Sequence, residues 1–577
     1  MSRKSIDRGH NYLPIAGWLP KCNSASVGAD VLAGISLAGL LVPEGMAYAG
    51  IAGAAPQIGL YAAMAGMFAY ALFGSSRQLA VTSTSSSAAM TAAVVAPLAG
   101  GDQAQYVVLI SAAAISAGLT FLVGGLFKLG SVAEFISKPV LKGFVFGLGL
   151  TIMVKQVGHF TGISKGQGAF FQQLWHAITS ISEINSATII VGIAALAVLI
   201  LLGKFVPRVP SALVVLVLGI LSARYFGLEH RGVEVVGEIE ARLPSLKIPH
   251  VNPDFLADVI LGTVGIVVVL TAESLAAGRT FAAKHGYETN ANQELFALGA
   301  ANLASGLFGG MIVGGGMSGT AANDASGAQT QLSTIVSSLF VAFALAFLMP
   351  SIRLLPEAVL AAIVIHAVAH LVDFKLLRYY AQIKTGSVWA ALTAIFGVLI
   401  FGILKGLVLA VGLTLVVVMK KLSTPQDSVL GRLPDTNKYV DILWNPEARP
   451  IQGLLILRPN AMLFFANANR ILNNVRTLLK SAESPTRAVI LNLEASPEID
   501  ITSAEMLGQM NSELKASGIV LYLAKVPKPV LDLLDRSGFL QKLEEEQICI
   551  DVKSAVRSAE RLVPVAENPA ILRASSQ

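Results

Sequence analysis

Cysteine is nearly absent. Cys22 and Cys549 are the only two in 577 residues; they lie near opposite ends of the chain and outside every apolar stretch, so neither a structural disulfide nor a cysteine-based metal or redox centre is expected. Charge is scarce too. Only 14% of residues are charged against 54% hydrophobic, and mean hydropathy is +0.66, a balance that puts most of the chain in lipid. No apolar h-region precedes the first long apolar stretch, so no cleaved signal peptide is expected. The phosphate-binding GxxxxGK, the metalloprotease HExxH, the nucleophile GxSxG and the redox CxxC patterns are all missing. Catalysis therefore has no visible foothold, and no cofactor or metal is called for. The net charge of +6 is read as a membrane protein's basic loops and not as a nucleic-acid surface.

Apolar stretches fall at about residues 29–50, 56–74, 80–99, 105–126, 139–158, 186–203 and 210–226. After a polar loop, seven more follow at about 255–277, 293–309, 312–327, 332–350, 356–372, 386–403 and 405–420, giving fourteen spans. Arg77, Lys128, Lys204, Arg279, Lys284, Lys375 and the pair Lys420–Lys421 all land on the N-terminal side, which makes that side cytoplasmic. The expected organisation is a cytoplasmic segment 1–28, a membrane domain 29–421 with halves at about 29–226 and 255–420, a soluble domain 436–563 and a tail 564–577.

One stretch, LFGGMIVGGGMSGTAANDASG from Leu307 to Gly327, puts glycine and hydroxyl residues inside the apolar part. It reads as a short extended piece followed by a helix capped by Ser318 or Thr320. Such a helix crosses only about half of an apolar layer of roughly 30 Å, so its N-terminus opens at mid-membrane. The first half holds a similar device: Leu72-Phe73-Gly74 matches Leu307-Phe308-Gly309, with Ser83 and Ser318 each nine residues past the glycine. Upstream of each lies a carboxylate in an apolar run, Glu44 and Glu273. Seven spans per repeat invert the second copy, so the two half-helix starts face each other near the midplane. Each start carries roughly half a positive charge, and together they make a site for a small anion.

Donors expected there are Thr82, Ser83, Thr84, Ser85 and Ser86 on one side, and Gly316, Met317, Ser318, Gly319 and Thr320 on the other, with Tyr48 one turn past Glu44. Taken singly, each hydroxyl can instead cap a helix or bond a neighbouring span; the paired placement favours a site. A charge at mid-bilayer costs about 2.5 to 3.5 kcal/mol on insertion scales. Glu44 and Glu273 are therefore expected to bind and release protons, the alternative being structural bonds between helices. His366 and His370, four apart, share a helix face but lack a third ligand, so no metal site is assigned.

The tail reads as a small α/β domain: paired strands within 453–465, a helix to about 480, then a strand at 488–493, a helix at 503–516, a strand at 519–524 and a helix at 529–534. In EIDITSAEML, Asp500, Thr502 and Ser503 stand at a helix start as regulatory candidates, with Thr502 and Glu505 fitting a capping box.

The segments LVPEGMAYAGIAG, YALFGSSRQLAVTSTSSS, AAGRTFAAKHGYETNANQEL and EIDITSAEML together resemble the sulfate permease (SulP) family over nearly the whole chain. The resemblance implies an α-helical polytopic membrane protein with fourteen transmembrane segments in a seven-plus-seven inverted repeat of the uracil-permease type, and a cytoplasmic STAS domain. It also implies a homodimer in a bacterial inner membrane, and transport of a small inorganic anion by an elevator-like movement. Glu273 falls where proton-coupled plant-type members of the family carry glutamate, and Glu44 where many members have Gln after Pro and others, among bacterial proton-coupled carriers, have Glu. One departure stands out: where many members have Arg at the second half-helix start, this chain reads Met317-Ser318-Gly319-Thr320. The function expected is proton-coupled sulfate symport, with sodium-coupled bicarbonate transport, proton-coupled dicarboxylate transport or an uncoupled channel or exchanger as alternatives. A cytoplasmic partner for the STAS domain is a further expectation.

Overall fold

The computed structural model describes residues 13–130, 138–164, 166, 168–206, 209–237, 243–369, 371–383, 385–424, 426–482 and 484–561. The chain divides into two compact units, Met1–Leu415 and Val416–Gln577.

The first unit is helical, and the expected apolar stretches each hold a helix. The first half contains α1 (Ser24–Ile51), α2 (Pro56–Phe73), strand β1 (Val81–Thr82), α3 (Ser85–Ala99), α4 (Gln103–Leu126), α5 (Lys138–Thr161), α6 (Ser186–Phe205) and α7 (Ser211–Phe226). The second contains α8 (Pro253–Lys284), α9 (Ala291–Leu307), strand β2 (Gly314–Gly315), α10 (Met317–Ala325), α11 (Leu332–Phe347), α12 (Glu357–Ala369), α13 (Thr385–Phe401) and α14 (Ile403–Ser423). Among the described residues, α1, α2, α4, α5, α6 and α8 each have the length and composition to cross a bilayer, and α3, α7 and α11 are shorter apolar helices. The N-terminus of α1 is fixed by Asn23, whose Oδ1 accepts from the Ser26 N–H at 2.8 Å while Ser26 Oγ accepts from the Asn23 N–H at 3.0 Å.

The two halves pack as a repeat. Helix α4 lies against α8 and α9, and its counterpart α11 lies against α1 and α2. Likewise α3 meets α8 as α10 meets α1, and α5 meets α13 as α12 meets α6. A two-fold relation explains each of these reciprocal contacts. At its centre β1 and β2 pair antiparallel, Val81 with Gly315 and Thr82 with Gly314. The nine residues of α10 rise about 13 Å, half of an apolar layer.

Buried carboxylates pin the connections. Glu294, 1% exposed, accepts from Tyr70 Oη at 2.6 Å, from Ser75 Oγ at 2.6 Å and from the N–H groups of Ser75 and Ser76 at 2.8 and 3.1 Å. Asp30 accepts from Thr330 Oγ1 at 2.6 Å and from the N–H of Gln329 at 2.7 Å. Both carboxylates are saturated by donors and act as staples.

The second unit is a six-stranded sheet in the order β4-β3-β5-β6-β7-β8, built from β3 (Asp427–Arg432), β4 (Tyr439–Asp441), β5 (Leu454–Pro459), β6 (Ala488–Asn492), β7 (Val520–Ala524) and β8 (Ile548–Cys549). Helices α15 (Ala468–Lys480), α16 (Ile501–Ala516), α17 (Lys528–Arg536) and α18 (Val552–Glu560) complete it. Two expectations change here. Residues 453–465 do not pair with themselves. Only β5 forms, because Asn467 takes the Phe464 N–H at 3.0 Å and donates to Met462 O at 2.9 Å, which turns the chain away. Strand β5 instead pairs antiparallel with β3, so the sheet begins ahead of the expected boundary at 436. Both cysteines are free.

Helices α1 and α2 cross at glycines next to Glu44. A Cβ on Gly59 would sit 1.9 Å from Gly45 O, so the two backbones touch there. Gly59→Ala is expected to force them apart at about 1–3 kcal/mol. The measurable result is an apparent melting temperature several degrees lower, with transport reduced.

Candidate functional site

The two half-helix starts are built differently. Thr84 caps α3: Thr84 Oγ1 accepts from the Ser87 N–H at 3.1 Å and Ser87 Oγ accepts from the Thr84 N–H at 2.8 Å. Helix α10 has Gly316 at its N-cap position and no side-chain cap. The expected caps are thus corrected. Ser318 lies inside the first turn, and Thr320 is buried behind it, its Oγ1 donating to Gly316 O at 2.6 Å and accepting from the Ala80 N–H at 3.2 Å. Thr320 stitches the two halves together and does not line the cavity.

A cavity of about 290 Å³ lies in front of both starts, on the order of ten liquid-water volumes. Its wall includes Glu44 and Tyr48 from α1, Thr82 to Ser86, Glu273 from α8 and Gly316 to Gly319. The expected site residues other than Thr320 therefore come together. Two bonds cross between the repeats: Ser86 Oγ donates to Glu273 Oε2 at 2.7 Å, and Ser318 Oγ donates to Glu44 Oε1 at 3.4 Å. Tyr48 adds a further hydrogen bond to Glu44. Ser86 and Ser318 are each the second residue of their helix. They are the structural equivalents, not Ser83 and Ser318, because the second half reaches its helix after a shorter connection. Ser83 Oγ is buried without a hydrogen-bond partner.

Two charged residues that the sequence did not single out also line the cavity, Lys142 from α5 and Asp373. Lys142 carries the same signal as Glu44 and Glu273, a charge within an apolar stretch. Asp373 is occupied locally, its Oδ1 accepting from the N–H groups of Lys375 and Leu376 at 2.9 and 3.2 Å. His366 does not line this cavity, and His370 lies outside the described residues. Among the described residues one group, His159, Glu234 and Glu357, brings metal-ligating atoms within 4.8 Å of one another; within it His159 Nδ1 is hydrogen-bonded to Glu357 Oε2.

In the second unit Asp500, not Thr502, caps α16. Its Oδ1 accepts from the Ser503 N–H at 2.8 Å and from Ser503 Oγ at 2.7 Å, and Oδ2 accepts from the Phe465 N–H at 2.6 Å. The Thr502–Glu505 capping box is replaced because the helix begins at Ile501. Thr502 is exposed and Ser503 buried. Partial burial raises the Asp500 carboxyl, but the bonds from Ser503 and Phe465 outweigh it and hold it below its ordinary value.

A profile of the sulfate permease family matches residues 28–420. The chain belongs to the sulfate permease family. A STAS-domain profile matches residues 445–559, within the second unit. The chain is 34% identical over 552 residues to a probable sulfate transporter of Mycobacterium tuberculosis strain H37Rv, covering 95% of this chain and 99% of the relative. It is 30% identical over 596 residues to sulfate transporter 1.3 of Arabidopsis thaliana, covering 96% and 88%. Among solved structures it is similar to the murine Solute Carrier 26 family member A9 anion transporter in the inward-facing state, with TM-score 0.88, 21% identity and coverage of 97% and 96%. The transmembrane domain of a cyanobacterial bicarbonate transporter gives TM-score 0.59 at 24% identity over 68% of this chain and 98% of that one. These two likenesses show the fold, a multi-pass helical membrane fold; the C-terminal STAS domain rests on its own profile. The chain's family members are transporters, not enzymes.

Ser83→Ala removes a buried hydroxyl that makes no protein hydrogen bond, so stability is expected to be unchanged or to rise by about 1 kcal/mol. The KM for the transported anion should rise several-fold in a liposome uptake assay. Asp500→Ala is expected to cost about 1–2 kcal/mol of STAS stability, read as faster amide exchange in α16. Because the Asp500 carboxyl is lowered in the folded state, its contribution is present above the ordinary carboxyl value of about 4 and is lost as pH falls through the folded value.

Proposed function

We propose that this chain is a proton-coupled symporter of a small inorganic anion, with sulfate the leading substrate. One observation carries the reading: each carboxylate is bonded to the half-helix start of the opposite repeat, so the anion-attracting and proton-accepting groups form one site. With Glu44 and Glu273 ionised, their two negative charges oppose a divalent anion in a low-dielectric cavity. Protonating both removes that repulsion and leaves the helix starts and hydroxyls to hold the anion. Anion and protons therefore enter together. The similarity to a probable sulfate transporter of Mycobacterium tuberculosis and to sulfate transporter 1.3 of Arabidopsis thaliana supports sulfate.

In this reading the bundle α1–α4 with α8–α11 moves against the remaining helices in an elevator-like step. The permease works as a homodimer in a bacterial inner membrane, with its N-terminus and STAS domain in the cytoplasm, where the STAS domain can meet a partner. Thr502, exposed at the start of α16, is its accessible regulatory hydroxyl.

Uptake of labelled sulfate, bicarbonate and succinate into proteoliposomes under an imposed proton or sodium gradient tests the reading. Sulfate should accumulate with the proton gradient. Glu273→Gln should reduce that accumulation at least tenfold while still allowing sulfate counterflow. Full proton-driven accumulation by this variant removes Glu273 from its role, and accumulation that follows sodium alone replaces the proton.

A further inference from the structure

The half-helix starts carry no cationic side chain: α10 opens with Met317, Ser318, Gly319 and Thr320, and α3 with Ser85, Ser86 and Ser87. A formal positive charge nevertheless reaches the cavity from elsewhere. Leu141, Lys142, Val145 and Phe146 of α5 line it, the i, i+1, i+4, i+5 pattern of one helix face. Among the described residues of the cavity wall, Lys142 is the only basic one, and it shares that wall with Glu273. The remaining acid, Asp373, is taken up by the N–H groups of Lys375 and Leu376.

Where α5 holds Lys142 is tightly set. A Cβ on the next residue, Gly143, would lie 2.3 Å from Ala391 O, so α5 is seated backbone to backbone on α13. Lys142 thus stands on the helix that packs on α13, whereas Glu273 stands on α8, which packs with α3, α4 and α10. The side chain itself is exposed, free to reorient on its flexible stem.

We propose that Lys142 is the exchangeable counter-charge of the transport site. It is neutralised by the Glu273 carboxylate when that group is ionised, and is released to bind the anion when Glu273 takes a proton. This inference rests on the proton-coupled reading of the same cavity and adds the cation that the half-helices lack. Its first consequence is selectivity. A single +1 charge beside two neutralised carboxyls attracts a divalent anion about twice as strongly as a monovalent one at the same distance. Its second is coupling, because anion and Glu273 compete for one ammonium group and binding of the anion favours the protonated glutamic acid.

The test compares the parent permease with Lys142→Gln, Lys142→Arg and Glu273→Gln in proteoliposomes. Sulfate KM is measured between pH 5.5 and 8, together with inhibition by bicarbonate as the monovalent probe. The expected result for Lys142→Gln is a sulfate KM raised about tenfold at low pH, a flatter pH dependence of KM and a smaller preference for sulfate over bicarbonate. Lys142→Arg should restore most of the affinity and shows that the site is folded. A Lys142→Gln permease with the parent's KM, pH profile and anion preference overturns the inference. If Glu273→Gln still loses proton-driven accumulation in that case, the symport reading stands without Lys142. If Glu273→Gln also behaves like the parent, the symport reading falls first and Lys142's role falls with it.

Discussion

Everything in the membrane unit depends on how an interrupted backbone is satisfied in a medium that offers no water. Two extended strands at mid-membrane expose peptide groups that neither helix can bond, and side chains from neighbouring helices meet that demand. Asn302 of α9 grips Val313 by both its N–H and its C=O at 2.9 Å each. Ser274 accepts from the Gly315 N–H at 2.8 Å, and Gln331 donates to Ser76 O and Leu79 O at 2.8 and 3.0 Å. With these groups in place, the start of α10 at Gly316, which has no side-chain cap, lies in the cavity wall. The scaffold polarity and the site polarity are thus parts of one arrangement.

How much of this could be read beforehand follows from which forces act locally. Apolar stretches of helical length identify helices without reference to their neighbours, which is why the α1–α14 order and the two interrupted segments follow from composition and glycine placement alone. Glu44 and Glu273 stood out for the same reason, as costly charges in apolar runs. Register was harder. The glycine-based match aligned Ser83 with Ser318, but helix position aligns Ser86 with Ser318, because the turns before the two half-helices differ in length and no local pattern measures that difference. Thr320 reads as a cap and is a cross-repeat staple, a distinction that only the position of Ala80 decides.

Lys142 shows the other limit. A lysine one turn inside a helix end ordinarily extends to the headgroups, and only the seating of α5 on α13 turns it toward the cavity. In the second unit β3 was missed because Asp427–Arg432 buries a short apolar centre between polar ends, too brief for alternation to register. Asp500 displaced Thr502 as the cap because its carboxylate also collects the Phe465 N–H from a separate loop, a contact that sequence spacing cannot reveal.

The uncapped start of α10 has a consequence for the unloaded carrier. A helix start closed by its own side chain, like that of α3, remains satisfied whatever the cavity contains. The start at Gly316 has no such cover, so its first N–H groups need a partner from the cavity, an anion or solvent. In the elevator-like reading proposed above, the empty site would return hydrated, and the passage would have to leave room for that water.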